Sequence, residues 1–191
     1  MITPASCLIF YNSPMNIILF GYRGSGKTSI GRLLAGELWK TFVDLDAEVC
    51  KQFQGRSIAD IWATDGEPAF RGVEAELAKQ FCAKDDQVIA LGGGTLTHPD
   101  ARAAVQSAPH AVRIYLKCKP EILHQRIQAD PATSHARPSL TRGASGGGGL
   151  DEVRAILAER EPIYTTVADK VFDVTHLSPK DAVPHIIKRC L

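Results

Sequence analysis

A chain of 191 residues suits one globular domain, and 45% hydrophobic with 23% charged residues provides for a buried core under a solvated surface. A formal net charge of +1 excludes a whole-molecule field that would draw nucleic acid or an anionic membrane, so recognition of anions falls to local arginines. The five cysteines (Cys7, Cys50, Cys82, Cys118, Cys190) are odd in number with no C-x-x-C pair, and the six histidines include no H-E-x-x-H, which argues against a disulfide framework and a zinc site.

Residues 1–14, MITPASCLIFYNSP, lack the basic start of a signal peptide. They read as a disordered extension, or as an artefact of the assigned start, because Met15 directly abuts the first convincing strand. Asn16–Phe20 (NIILF) is a short apolar run closed by a glycine-rich loop, the pattern of a buried strand. Lys27–Trp39 follows as a helix with Ile30, Leu33, Leu34 and Leu38 on one face. Thr41–Leu45 is a second strand. Ala47–Cys82 is helical, with breaks near Gly55 and around Asp65–Pro68. Gln87–Leu91 is a third strand, ending in three glycines. Asp100–Ser107 is a helix, Ala111–Leu116 a fourth strand and Pro120–Gln128 another helix. Residues 130–149 are rich in Gly, Ser, Thr and Pro; a stretch of that length within a compact domain predicts a mobile functional loop, a lid. Leu150–Glu161 resumes as helix, Lys170–Val174 is a fifth strand, and the last helix starts at Ser178-Pro179-Lys180-Asp181. Strands alternating with helices predict an α/β three-layer sandwich around a five-stranded parallel sheet, in a single domain over 1–191. No apolar run approaches the roughly 20 residues of a membrane span, so a cytoplasmic protein is expected.

The loop Gly21-Tyr22-Arg23-Gly24-Ser25-Gly26-Lys27-Thr28 matches G-x-x-x-x-G-K-[ST] between a strand and an amphipathic helix. Its glycines let backbone N–H groups turn toward phosphate oxygens, and the helix behind it points its positive dipole end at them. Lys27 supplies a charge to the β- and γ-phosphates, and the Thr28 hydroxyl suits Mg²⁺. The motif fixes a nucleoside triphosphate as donor and leaves the acceptor open. The guanine-reading N-K-x-D is absent, since the chain's only asparagines are Asn12 and Asn16. Asp44 and Asp46 close the second strand as Asp-x-Asp, which would turn both carboxylates to one side of it, at the carboxyl ends where such sheets bind ligands. The alternative is a pair of solvated turn or N-cap residues. Gly92, Gly93 and Gly94 permit a small ligand close approach to the backbone. Arg71 and Arg160 stand in charged helices and by pattern alone read as solvated.

Taken together, GYRGSGKTSIGRLLA, FVDLD, GRSIADIWATDGEPAFR, ALGGG, RPSL and LAEREPIY resemble the shikimate kinase family, in order and spacing, along nearly the whole chain from Met15. The resemblance implies a nucleoside-monophosphate-kinase-like P-loop fold with a lid over 130–149. It implies transfer of the γ-phosphoryl of ATP to the 3-hydroxyl of shikimate, with Mg²⁺, in a monomer that binds neither nucleic acid nor membrane. Asp46 would then hold the shikimate hydroxyls and help activate the 3-hydroxyl, while Asp44 would serve the metal through water. Arg71 and Arg160 would clamp the substrate carboxylate, a planar anion that suits a guanidinium fork. Gly93 would donate its backbone N–H to the substrate, beside Gly92 and Gly94. Gly24, Ser25, Gly26, Lys27, Thr28 and Ser29 would hold ATP, Arg126 and Pro179 would flank the adenine, and Arg137 would cover the phosphates. The segment around Arg137 is longer than in typical members, and Gly72 stands where a second basic residue often follows the substrate arginine. A gluconate kinase, or a nucleotide-binding module without catalysis, are the rival readings.

Overall fold

The computed structural model describes residues 15–130 and 149–191. The expected extension over 1–14, the interior of the expected lid and Arg137 lie outside the described residues. The first strand, β1 (Asn16–Phe20), is buried at every position, as a strand covered on both faces must be. It occupies the centre of a five-stranded sheet in the order β2-β3-β1-β4-β5. The neighbours are β2 (Thr41–Asp44), β3 (Gln87–Ala90), β4 (Ala111–Lys117) and β5 (Lys170–Asp173). Every pairing is parallel, with Ile18 beside Ile89 on one side and Arg113 on the other.

The helices cover both faces. Gly31 of α1 (Lys27–Glu37) lies against Leu19 of β1. The next residue, Phe20, packs on Tyr115 and on Tyr164 of a later helix. Successive strand residues point to opposite faces, so these two helices lie on opposite sides of the sheet, which makes three layers. The expected helix over 47–82 is three: α2 (Leu45–Gln52), α3 (Ile58–Thr64) and α4 (Glu67–Cys82). The breaks fall at Gly55 and Gly66, both with positive φ. Then come α5 (Pro99–Ser107), α6 (Pro120–Ala129), α7 (Leu150–Val167) and α8 (Pro179–Cys190). Ser178 caps α8, accepting from Asp181 N at 3.3 Å. No described helix is long and apolar enough to cross a membrane.

Several expected boundaries move, and three of the shifts have a visible cause. The first helix stops at Glu37, and Trp39 takes φ 57° while Lys40 N donates back to Ala35 O at 2.9 Å, the bond of a left-handed helix stop. The second strand ends at Asp44, and Leu45 already belongs to α2. The helix expected to end at Glu161 runs on through Pro162 to Val167. Proline removes one intrahelical N–H, but burying Tyr164 against Phe20 and Tyr115 offsets that loss.

The sheet and the phosphate loop meet at Gly21. Its φ is +141°, and a β-carbon there would lie 2.6 Å from the carbonyl oxygen of Leu116 in β4. Gly21→Ala therefore strains the backbone and forces β4 away. We expect a loss of about 1–3 kcal/mol in unfolding free energy, measured by urea denaturation, together with weaker nucleotide binding.

Candidate active site

Residues 21–26 link β1 to α1 and turn around a cavity of about 420 Å³. Residues 23–30, Asp44, Asp46, Arg126 and Pro179 line it, so the six residues of the P-loop run expected to hold ATP share one cavity with both expected adenine contacts. Lys27 is buried, and its Nζ donates to Gly21 O and Tyr22 O, each at 2.9 Å. The amine is thereby held inside the loop that would cradle phosphates. Arg126 braces the far wall: its Nη2 donates to Val174 O at 3.0 Å and Leu177 O at 3.2 Å, which ties α6 to the turn between β5 and α8.

The two aspartates reach the cavity by a route other than the expected one. Asp44 is the last residue of β2 and the N-cap of α2, its Oδ1 accepting from Ala47 N at 3.3 Å. Asp46 stands in the first helical turn. A capping carboxylate satisfies an otherwise orphaned backbone N–H, and that local gain ends the strand one residue early. Both side chains still line the cavity. Asp44 Oδ2 accepts from Thr28 Oγ1 at 2.7 Å, so the two residues expected to serve a metal meet.

A second, smaller cavity opens beside the first, lined by Tyr22, Arg23, Asp46, Ile58, Trp62, Phe70, Arg71, Gly93, Gly94 and Arg160. It brings together Asp46, Arg71 and Arg160 from three helices far apart in sequence. Arg71 is no solvated helix arginine. Its Nη1 donates to Glu74 Oε2 at 2.7 Å and its Nε to Glu67 Oε1 at 3.2 Å. Its guanidinium also lies over Trp62 and Phe70, 5.5 and 5.4 Å from the ring centroids. Glu74 is fully buried and also accepts from Thr95 Oγ1 at 2.5 Å. Burial pushes its carboxyl above the ordinary range, and the charge of Asp46 adds to this, while Arg71 and Thr95 pull it back.

The glycine triplet exists for close approach. A β-carbon at Gly92 would collide with Asp46 Oδ1 and Glu74 Oε1, and one at Gly94 would lie 2.5 Å from Arg71 Nη2. Gly93 is held by its carbonyl, which accepts from Arg160 Nη1 at 2.9 Å and Tyr164 Oη at 2.6 Å. Burial pushes the Tyr164 hydroxyl up to about 12, so it stays a donor. Sequence reasoning missed Glu74, Trp62, Thr95 and Tyr164. Glu74 had a usable signal: it sits on the face of α4 that buries Phe70, Leu77 and Ala78, where a carboxylate needs a partner. The other three look like ordinary core or turn residues until the chain is folded.

A family model described as shikimate kinase matches residues 23–191. A shikimate kinase of Symbiobacterium thermophilum is 39% identical over 175 residues, which cover 92% of this chain and 95% of that one. One from Mycobacterium tuberculosis is 39% identical over 90% of this chain and 91% of its own. Among solved structures, a shikimate kinase from Acinetobacter baumannii in complex with shikimate superposes with a TM-score of 0.82, at 28% identity over 95% of each chain.

The buried pair sets a stability test. Glu74→Ala leaves Arg71, only 14% exposed in its side chain, with the half-exposed Glu67. We expect a loss of about 3–5 kcal/mol in unfolding free energy, against less than about 1 kcal/mol for Glu67→Ala, both read from denaturant titration.

Proposed function

The chain belongs to the shikimate kinase family, and we propose that it transfers the γ-phosphoryl group of ATP to the 3-hydroxyl of shikimate, giving ADP and 3-phosphoshikimate. The observation that carries this reading is the meeting of the two cavities at Asp46, one walled by a phosphate loop and the other by Arg71 and Arg160. In this reading the loop N–H groups and Lys27 hold the β- and γ-phosphates. Arg71 and Arg160 take the acceptor carboxylate, and the aromatic faces of Trp62 and Phe70 exclude water behind it. Asp46 receives a hydrogen bond from the reacting hydroxyl and accepts its proton. The backbone of Gly93, anchored through its carbonyl, presents its N–H to the acceptor. Arg137, by the family resemblance, adds positive charge over the phosphates. Positioning and charge supply most of the catalysis, because the migrating phosphoryl group needs little covalent help.

Thr28 and Asp44 suit a magnesium ion. Their oxygens meet at the rim of the phosphate cavity, and no group of three or more His, Cys, Asp or Glu among the described residues could hold a metal alone. Such a donor set fits Mg²⁺, which keeps several waters and binds through one or two protein oxygens plus the substrate phosphates. When bound there it would neutralise charge developing on the phosphate oxygens.

ADP release coupled to a spectroscopic readout tests this directly. Shikimate should stimulate ATP consumption, and gluconate should not. Arg71→Ala and Arg160→Ala should each weaken shikimate binding by about 2–5 kcal/mol, the scale for losing one partner of a desolvated charge pair. Unchanged shikimate affinity in both would remove the clamp. Asp46→Asn should lose turnover and keep ATP binding by calorimetry; normal turnover would end its assignment as proton acceptor.

A further inference from the structure

Arg23 occupies a position of the phosphate-loop motif at which the motif specifies nothing. The residue is 7% exposed. Its Nε is buried without a hydrogen-bond partner, and none of its guanidinium nitrogens bonds or ion-pairs with another described residue. Other part-buried arginines are provided for within the fold. Arg71 has Glu74 and Glu67, Arg113 has Asp169 and the carbonyls of α5, and Arg126 has the carbonyls before α8. A largely buried guanidinium that lines two cavities and has no ion pair among the described residues is placed to meet an anion that arrives from outside.

The position says which anion. Arg23 and Asp46 are the two residues that line both cavities. The backbone of Arg23 abuts the glycine turn after β3: a β-carbon on Gly93 would lie 3.3 Å from Arg23 N. On the donor side the loop amides and Lys27 already serve the phosphates that stay with the nucleotide. On the far side Arg71 and Arg160 serve the acceptor carboxylate. The junction between them is where the phosphoryl group crosses.

We propose that Arg23 is a catalytic residue of the transfer step, holding the equatorial oxygens of the γ-phosphoryl group as it passes from ATP to the acceptor. This rests on the kinase reading above. In the step, the acceptor oxygen forms a bond to the γ-phosphorus while the bond from that phosphorus to the β,γ-bridging oxygen breaks. The bridging oxygen leaves with the electron pair as part of ADP, and the hydroxyl proton passes to Asp46. Arg23 is not consumed; it meets the three charged oxygens of the γ-phosphoryl group in the planar, equatorial arrangement they take up near the transition state.

The test is Arg23→Met, which keeps an unbranched apolar stem, beside Arg23→Lys, which keeps a charge without the fork. Arg23→Met should lower kcat by roughly 10²–10³-fold, with KM for ATP and shikimate within about threefold. Arg23→Lys should recover part of the loss. ADP with aluminium fluoride and shikimate, a mimic of the planar phosphoryl group, should bind wild type more tightly than ADP alone, and this gain should vanish in Arg23→Met. Unchanged ADP affinity and thermal midpoint show that the variant is folded. A kcat within threefold of wild type, or a rise confined to the KM for shikimate, overturns the proposal; the second outcome makes Arg23 an acceptor-binding residue. Wild-type protein that consumes no ATP with shikimate overturns the kinase reading itself, a result separate from any difference between the variants.

Discussion

The acceptor side of the molecule depends on one buried carboxylate. Glu74 sits on the core face of α4, where an isolated charge could not stay, and is kept there by Arg71 and by the Thr95 hydroxyl. These contacts fix more than the glutamate. They draw the Arg71 guanidinium in over Trp62 and Phe70, and they bring the turn after β3 against α4 so closely that only glycine fits at positions 92 and 94. The cavity beside Asp46 is what remains between these packed groups. A buried ion pair is weak support for stability, since desolvation offsets much of the attraction. Its effect here is geometric: it sets where an arginine fork points.

The donor side is built on the opposite plan. Its phosphate cradle uses backbone N–H groups and a helix N-terminus, which need small residues and positive φ rather than a network of side chains. That difference explains why the two halves were unequally legible in the sequence. A backbone cradle leaves a local signature, eight consecutive residues between a strand and a helix. The acceptor site is assembled from α2, α4, the turn after β3 and α7, so no local window contains it. Arg71 and Arg160 are 89 positions apart and each sits in an unremarkable charged helix; only the family resemblance paired them before the fold did.

The inner strands β1 and β3 were legible because a strand buried on both faces demands an unbroken apolar run, and all five strands lie within one residue of where they were expected. Two of the departures have a visible contact behind them. At Asp44 a capping bond ends β2 before the pattern does, and at Pro162 tertiary packing of Tyr164 carries a helix past a residue that local propensity reads as a stop. Alternation and propensity describe a chain without neighbours. At Asp44 a local cap and at Pro162 a distant packing partner outweigh that preference, and both lie beside the site.

Asp44 shows how the two halves are joined. One of its oxygens caps α2 and so aims the first turn that carries Asp46, and the other accepts from Thr28 on the phosphate loop. The carboxylate that would meet the acceptor is therefore set by a residue that itself touches the donor loop. Had both aspartates stood in the strand, as the alternation predicts, Asp46 would be oriented by the sheet alone and would be indifferent to events at Thr28. Placed on a helix whose cap, Asp44, also accepts from Thr28, it stands one contact away from the phosphate loop. The turn of backbone that shortens the strand by one residue thus also ties the cap of the helix that carries Asp46 to the phosphate loop.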